Sequence, residues 1–132
     1  MVMKINIFLM VWLIIVAIHV LYDFNQGEHV ATMKQKDWWK EHYPAKLYRH
    51  DYIIVLILHG LLWSVLVTIP IFVCRYYYHR EICNGFILFF IIFNAMLHTL
   101  VDHAKANIKC INLLQDQLLH LIQLLGLATM IF

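Results

Sequence analysis

The sequence predicts an all-α, polytopic membrane protein in which four transmembrane helices form a bundle around a polar cluster of histidine and aspartate. Two observations support the membrane assignment: 63% of the 132 residues are hydrophobic while only 14% are charged, and the mean hydropathy is +0.72. Soluble domains are closer to half apolar. A third observation, the recurrence of His and Asp at helical spacing within apolar segments, predicts the cluster.

Four apolar windows are each close to the ~20 residues that an α-helix needs to cross a bilayer core. They are Ile5 to Phe24, Tyr52 to Cys74, Gly85 to Lys105 and Ile111 to Phe132. The polar stretch from Asn25 to Asp51 is too short for a domain, so residues 1–132 are predicted to form a single four-helix transmembrane domain. The first window is too long for a cleavable signal peptide and is expected to remain as the first membrane helix.

The distribution of positive charge predicts an orientation. Seven of the ten Lys and Arg residues fall in the connection between windows one and two and in the connection between windows three and four. By the positive-inside rule these connections are cytoplasmic and both termini lie outside. The formal net charge of +2 is too small and scattered for a nucleic-acid-binding surface. Three cysteines without a CxxC motif are read as free thiols.

Polar side chains recur on one stripe of each predicted helix, because residues four and seven apart share a helix face. The first helix carries His19, Asp23 and Gln26, and the third repeats the pattern with His98, Asp102 and Lys105. The second contributes His59, and the fourth contributes Asp116 and His120. Counted at 1.5 Å per residue, the four histidines lie at nearly one depth, roughly 10 to 13 Å from the cytoplasmic ends, with the aspartates nearer the surface.

Imidazole and carboxylate are nitrogen and oxygen ligands that a divalent metal accepts, and an ionised residue in hydrocarbon is by default a functional hypothesis. The predicted cofactor is zinc or manganese, as one or two ions. The predicted ligands are His19, Asp23, His59, His98, Asp102, Asp116 and His120. Two alternatives stay open: a metal-free proton or substrate relay, and a hydrogen-bonded cluster that only joins the helices.

The ordered motifs also resemble a known family. HVLYDFNQ, then Lys34 or Lys36, then His59, HTLVDHAK and DQLLH look like the signature of the domain-of-unknown-function family 3307, small integral membrane proteins of phages and bacteria. The resemblance spans nearly the whole chain and implies a bacterial (host) inner membrane but no established activity. Tyr22 stands where the family commonly has a small residue. The resemblance picks out the predicted metal ligands together with Gln26, Lys105 and Gln117.

The first functional hypothesis is a membrane-embedded, metal-dependent hydrolase that acts on a phosphate-bearing or lipid-like substrate from the cytoplasmic face. Metal-activated water would be the nucleophile, with Asp23 or Asp116 as general base and Lys105 as a further catalytic residue. The predicted substrate-binding residues are Gln26, Lys34, Lys36, Lys105 and Gln117, of which the lysines would bind an anionic group.

Two other functions stay open. One is a small metal- or proton-coupled transporter in which the repeated HxxxD motif marks two half-sites. The apolar outer halves of all four windows favour a one-sided pocket and therefore the enzyme. The other is a phage membrane interaction protein with a structural polar cluster. The expected partners are the lipid bilayer and a small-molecule or lipid substrate, and four helices are few to enclose a pocket, which leaves a homodimer open.

The orientation can be tested with a single introduced cysteine. In a background lacking Cys74, Cys83 and Cys110, a cysteine placed between Lys34 and Lys46 should react with a membrane-impermeant thiol reagent only after the cells are opened, because that connection is predicted to be cytoplasmic. Labelling in intact cells would reverse the orientation and place the mouth of the pocket outside.

Overall fold

The computed structural model describes residues 2–25, 27–78 and 84–131, and in this part of the chain the protein is all-α. The helices are α1 (Val2–Phe24), α2 (Gly27–Met33), α3 (Lys36–His42), α4 (Asp51–Tyr77), α5 (Asn84–His103) and α6 (Leu113–Ala128). A π turn, Ala104–Ile108, ends α5, and short 3-10 turns lie at Lys46–Tyr48 and Thr129–Ile131.

Three segments of the described chain are long and apolar enough to cross a membrane: Ile5–Phe24, Lys46–Tyr77 and Gly85–Ile108. The fourth predicted window is longer than the helix that forms there. Asn112 caps α6 through a reciprocal capping box with Gln115, so the helix starts at Leu113 and has 16 residues. That is short of the ~20 residues that span a bilayer core, and a fourth crossing therefore stays a prediction.

The polar connection between α1 and α4 folds against the turn between α5 and α6. Asn107 holds it in place: the Lys36 amide donates to Asn107 Oδ1 at 2.6 Å, and Asn107 Nδ2 donates to the Lys34 carbonyl at 3.0 Å. Lys109 Nζ lies 3.1 Å from the Asp37 carboxylate, and hydrogen bonds from Lys109 and Lys40 lower the pKa of Asp37. The two lysine-rich connections thus meet at one end of the bundle.

Below the polar cluster the bundle has a buried apolar core, beside which Ser64, Thr68 and Asn94 are also buried. Helix α4 makes its most extensive contact with α5 and also packs against α1 and α6. The buried apolar core comprises Val11, Ile15, Trp63, Val67, Ile71, Leu124, Leu127 and Ala128. The outward faces of the long helices carry exposed Leu, Ile and Phe side chains, as expected where helices meet lipid.

Helices α4 and α5 approach most closely at Gly60. A Cβ added at Gly60 would overlap Thr99 Oγ1 and lie 2.8 Å from the Ala95 carbonyl oxygen. Neither neighbour can move freely, because Ala95 O belongs to the backbone and Thr99 Oγ1 donates to the Leu56 carbonyl at 3.2 Å. A small residue at this position therefore sets the spacing of the two helices that carry His59 and His98.

We expect Gly60→Ala to destabilise the protein by about 1 to 3 kcal/mol, because overpacking forces the two helices apart. Unfolding of the purified protein in mixed micelles measures the loss. Gly126→Ala is the matched control, since a Cβ there meets nothing within 4 Å, and Gly to Ala within a helix is neutral or stabilising by up to about 1 kcal/mol. Equal losses in both variants would show that the close approach at Gly60 does not matter.

Candidate metal centre

The structure brings all seven predicted metal ligands together near the end of the bundle where the polar connections meet. The four histidines, one each from α1, α4, α5 and α6, are 0 to 4% exposed. Asp102 is 6% and Asp116 1% exposed, and Asp23 is half-buried. The helical spacing predicted this convergence: in each of the three His/Asp pairs at positions i and i+4, nitrogen and oxygen lie 3.5 to 3.8 Å apart.

Four side chains place ligand atoms close together, and we call them the first ligand set. Its atoms are His59 Nε2, His98 Nε2, Asp102 Oδ2 and Asp23 Oδ1. His59, His98 and Asp102 form a group that could hold a metal ion, with separations of 3.0 Å for His59–His98, 3.4 Å for His59–Asp102 and 3.8 Å for His98–Asp102. Asp23 Oδ1 lies beside this group, 3.6 Å from His59 and 3.9 Å from His98. Ligands at the usual zinc distances are about 3.3 to 3.6 Å apart in a regular tetrahedron, and the three separations bracket that range.

A second group, the three-ligand set, shares Asp102 with the first. His120 Nε2 lies 3.3 Å from Asp102 Oδ1 and 3.5 Å from Asp116 Oδ1. Asp116 Oδ1 is buried and, among the described residues, has no hydrogen-bond partner closer than His120 Nε2 at 3.5 Å. Asp102 turns one oxygen to each set, so one carboxylate would contribute a ligand atom to both.

His19 has a different role from the one predicted. Trp63 Nε1 donates to His19 Nδ1 at 2.9 Å, so the proton of His19 is on Nε2, where Gln117 Oε1 accepts it at 3.3 Å. Gln117 Nε2 in turn donates to Asp116 Oδ2 at 3.0 Å. Both nitrogens of His19 are engaged, which leaves no lone pair for a metal. We therefore reassign His19 from metal ligand to the hydrogen-bonded chain that orients Asp116.

Two lysines neutralise the buried carboxylates. Lys34 Nζ lies 2.8 Å from Asp102 Oδ2, and Lys105 Nζ lies 2.7 Å from Asp116 Oδ2. Both line a cavity of about 400 Å³ that reaches Asp23 and Asp102. Besides these four residues, its walls contain Phe24, Ala31, Gln35, Ala106, Lys109, Leu113 and Gln117. The cavity therefore joins a cationic and partly apolar mouth to the histidine and aspartate cluster.

One of the predicted substrate-binding residues does not line this cavity. Lys36 is not in the lining, since its backbone amide binds Asn107 at the edge of the connection. Gln26 lies outside the described residues. Gln117 is present at the wall, but its side chain is committed to His19 and Asp116, so a positioning role fits it better than substrate binding.

Three residues of the site were not predicted to take part. The Trp63 ring stacks on His98 with centroids 4.1 Å apart, in addition to its bond to His19. Tyr22 stacks on His59 at 5.1 Å, and its hydroxyl donates to the His59 carbonyl at 3.4 Å. Asn107 fixes the connection that carries Lys34. The sequence indicates a role only for Trp63, which lies one turn beyond His59 on the same predicted helix. No sequence pattern links Asn107 to Lys34.

No family model matches this chain, and neither a curated protein nor a solved structure matches it. The resemblance to the domain-of-unknown-function family 3307 thus stays a prediction from the motifs. Function has to be argued from the cluster and the cavity.

The bond between Trp63 and His19 can be tested by Trp63→Phe. We expect a loss of about 1 to 3 kcal/mol in the free energy of unfolding from the hydrogen bond alone, because the change leaves buried His19 Nδ1 without its donor. Trp12→Phe is the control, since the buried Trp12 Nε1 meets no acceptor in the described part of the chain. If the two variants unfold alike in mixed micelles, the Trp63 bond does not stabilise the fold.

Proposed function

We propose that this protein is a membrane-embedded, metal-dependent hydrolase that acts on a phosphate-bearing, lipid-like substrate from the cytoplasmic face. The observation that carries the proposal is the first ligand set, in which two imidazole nitrogens and the Asp102 oxygen lie 3.0 to 3.8 Å apart beside a cavity that Asp23 and Asp102 line. Two imidazole nitrogens and one carboxylate oxygen favour zinc over manganese, which prefers six oxygen ligands, and three protein ligands leave a fourth position open for water. A divalent metal held there would supply Lewis acidity and activate water at neutral pH.

The chemistry of the cavity walls supports an amphiphilic anion as the substrate. Lys34, Lys105 and Lys109 place three ammonium groups around the cavity, which suits a phosphate group. Phe24 is 65% and Leu113 54% exposed, and both line the same cavity. These apolar walls favour a lipid phosphate over a small polar phosphate ester.

The lining of the cavity favours Asp23 over Asp116 as the general base. Asp23 lines the cavity, whereas Asp116 does not and has its Oδ2 bound by Lys105 and Gln117. We therefore assign Asp23 as the base that takes the proton from the attacking water. In this reaction the water oxygen bonds to phosphorus, the bond from phosphorus to the leaving oxygen breaks, and Lys105 neutralises the phosphate oxygens.

The transporter hypothesis is less well supported. Directly below the cluster, Val11, Ile15, Val67 and Leu124 are 0 to 3% exposed and form a continuous apolar core. A coupled ion would need a polar path through this layer to reach the other face. Ser64, Thr68 and Asn94 are also buried on that side, but each donates to a helix carbonyl, whereas the cavity lies on the other face of the cluster, which favours a one-sided pocket.

One observation favours a metal-free ionic network as the second candidate. The Nδ1 atoms of His59, His98 and His120 are buried and meet no partner among the described residues, whereas metal-ligating histidines usually donate through the second nitrogen to an acceptor. A protonated His120 between Asp102 and Asp116 would add a positive charge to the cluster without a metal. The two candidates differ in metal content.

Elemental analysis of the detergent-purified protein distinguishes the two candidates. We expect zinc in the wild type and a fall of at least about tenfold in zinc affinity for Asp102→Asn, because the amide keeps the shape but is a much poorer ligand than the carboxylate. Asp102 is the most informative position to change, since it belongs to both ligand sets.

The control for this measurement is His29→Ala. His29 is exposed in α2 and should not affect the metal. A wild type that purifies without metal, refuses added zinc and manganese, and folds equally well as Asp102→Asn would rule out the metal centre and leave the ionic network.

A further inference from the structure

Lys34 contacts an oxygen that a metal in the first ligand set would also need. Its Nζ lies 2.8 Å from Asp102 Oδ2, and the same oxygen is the Asp102 atom of that set, 3.4 Å from His59 Nε2. An ammonium and a divalent cation repel each other strongly at such a short distance in a poorly solvated site. Lys34 and a metal are therefore alternative partners of Asp102 Oδ2.

Lys105 does not compete in this way. Its Nζ is 2.7 Å from Asp116 Oδ2, whereas Asp116 Oδ1 is the oxygen that faces His120. Gln117 donates to Oδ2 as well. Lys105 thus holds Asp116 from the side away from the ligand atoms, and a metal at His120 would leave that contact in place.

The side chain of Lys34 has freedom to change partner although its backbone does not. Asn107 binds the Lys34 carbonyl at 3.0 Å and fixes the position of its Cα. The Lys34 side chain is 15% exposed, lines the cavity and has four rotatable bonds. When released from Asp102 it therefore stays at the wall of the same cavity, where Lys105 and Lys109 also lie.

We propose that Lys34 is an exchangeable cation that completes a phosphate site only when a metal is bound. In the metal-free protein Lys34 neutralises Asp102. When a metal takes Asp102 Oδ2, Lys34 turns to the phosphate group of a phosphate ester in the cavity. This inference rests on the proposed function and deepens it, because it names the condition under which the substrate site forms. Metal and phosphate should then each tighten the binding of the other by the same factor.

The test is a zinc titration of the full chain in detergent against a chromophoric competitor, with and without inorganic phosphate. A titration of the competitor alone corrects for phosphate bound by free zinc. In the wild type we expect phosphate to raise the zinc affinity about fivefold or more, the lower end of typical coupling between sites. Without phosphate, we expect the zinc affinity of Lys34→Met to be at least about fivefold higher than that of the wild type. Phosphate should have no further effect on this variant, again by reciprocal coupling.

Three further variants make the result specific. Lys105→Met should raise the zinc affinity less than Lys34→Met, because Lys105 contacts Asp116 Oδ2 and not Asp116 Oδ1, the oxygen that faces His120. Lys40→Met removes an exposed lysine that pairs with Asp37 and should behave as the wild type. Lys34→Gln removes the same charge as Lys34→Met and gives the same expected result if the methionine variant does not fold.

The outcomes separate this inference from the proposed function. If the wild type binds zinc, two results would overturn the exchange and leave the metal centre supported. One is weaker or unchanged zinc binding in the Lys34 variants, and the other is a phosphate effect that persists in them. A wild type that binds no zinc overturns both, since the phosphate site requires the metal. Tighter zinc binding and loss of the phosphate effect in both Lys34 variants support the exchange.

Discussion

The burial of the Asp102 carboxylate is the constraint on which the arrangement of the cluster depends. An ionised residue within a bilayer costs about 2.5 to 3.5 kcal/mol at the centre of a helix and less near the interface. The cost is offset only if both oxygens find partners. One oxygen faces His59, His98 and Lys34 at 2.8 to 3.8 Å, and the other faces His120 at 3.3 Å. These four partners come from α4, α5, α6 and the connection after α2, so one carboxylate holds four parts of the chain together.

The pairing of charges links the cluster to its surroundings. Lys34 and Lys105 pair with Asp102 and Asp116, and Asp23 Oδ1 lies 3.6 and 3.9 Å from the Nε2 atoms of His59 and His98. A buried ion that lacks a partner is far more costly than one that is paired. A cation that takes Asp102 Oδ2 therefore also decides whether Lys34 remains at Asp102.

Much of this site could be predicted from the sequence, for a physical reason. His and Asp four residues apart on one helix meet whatever the tertiary fold, so three of the pairs followed from spacing alone. Contacts between distant segments could not be predicted in the same way. Lys34 reaches Asp102 across 68 positions, and Trp63 reaches His19 across 44. That second contact removes His19 from the ligands, because it decides which nitrogen carries the proton. The length of α6 was overestimated mainly because apolar residues continue past Ala128, where the α-helix gives way to the 3-10 turn Thr129–Ile131.

The turn after α5 shows how local backbone geometry positions the site. An α-helix would continue past His103, yet Ala104–Ile108 forms a π turn and Lys109 adopts a left-handed conformation with φ of 59°, which costs about 1 to 2 kcal/mol for a residue with a side chain. The residues of this turn make the contacts that close the cavity. Lys105 binds Asp116, Asn107 binds the Lys34 segment and Lys109 pairs with Asp37. Such non-α turns recur at functional sites. A regular helix here would direct these three side chains elsewhere and remove the Asn107 contacts that hold the Lys34 segment beside the cluster.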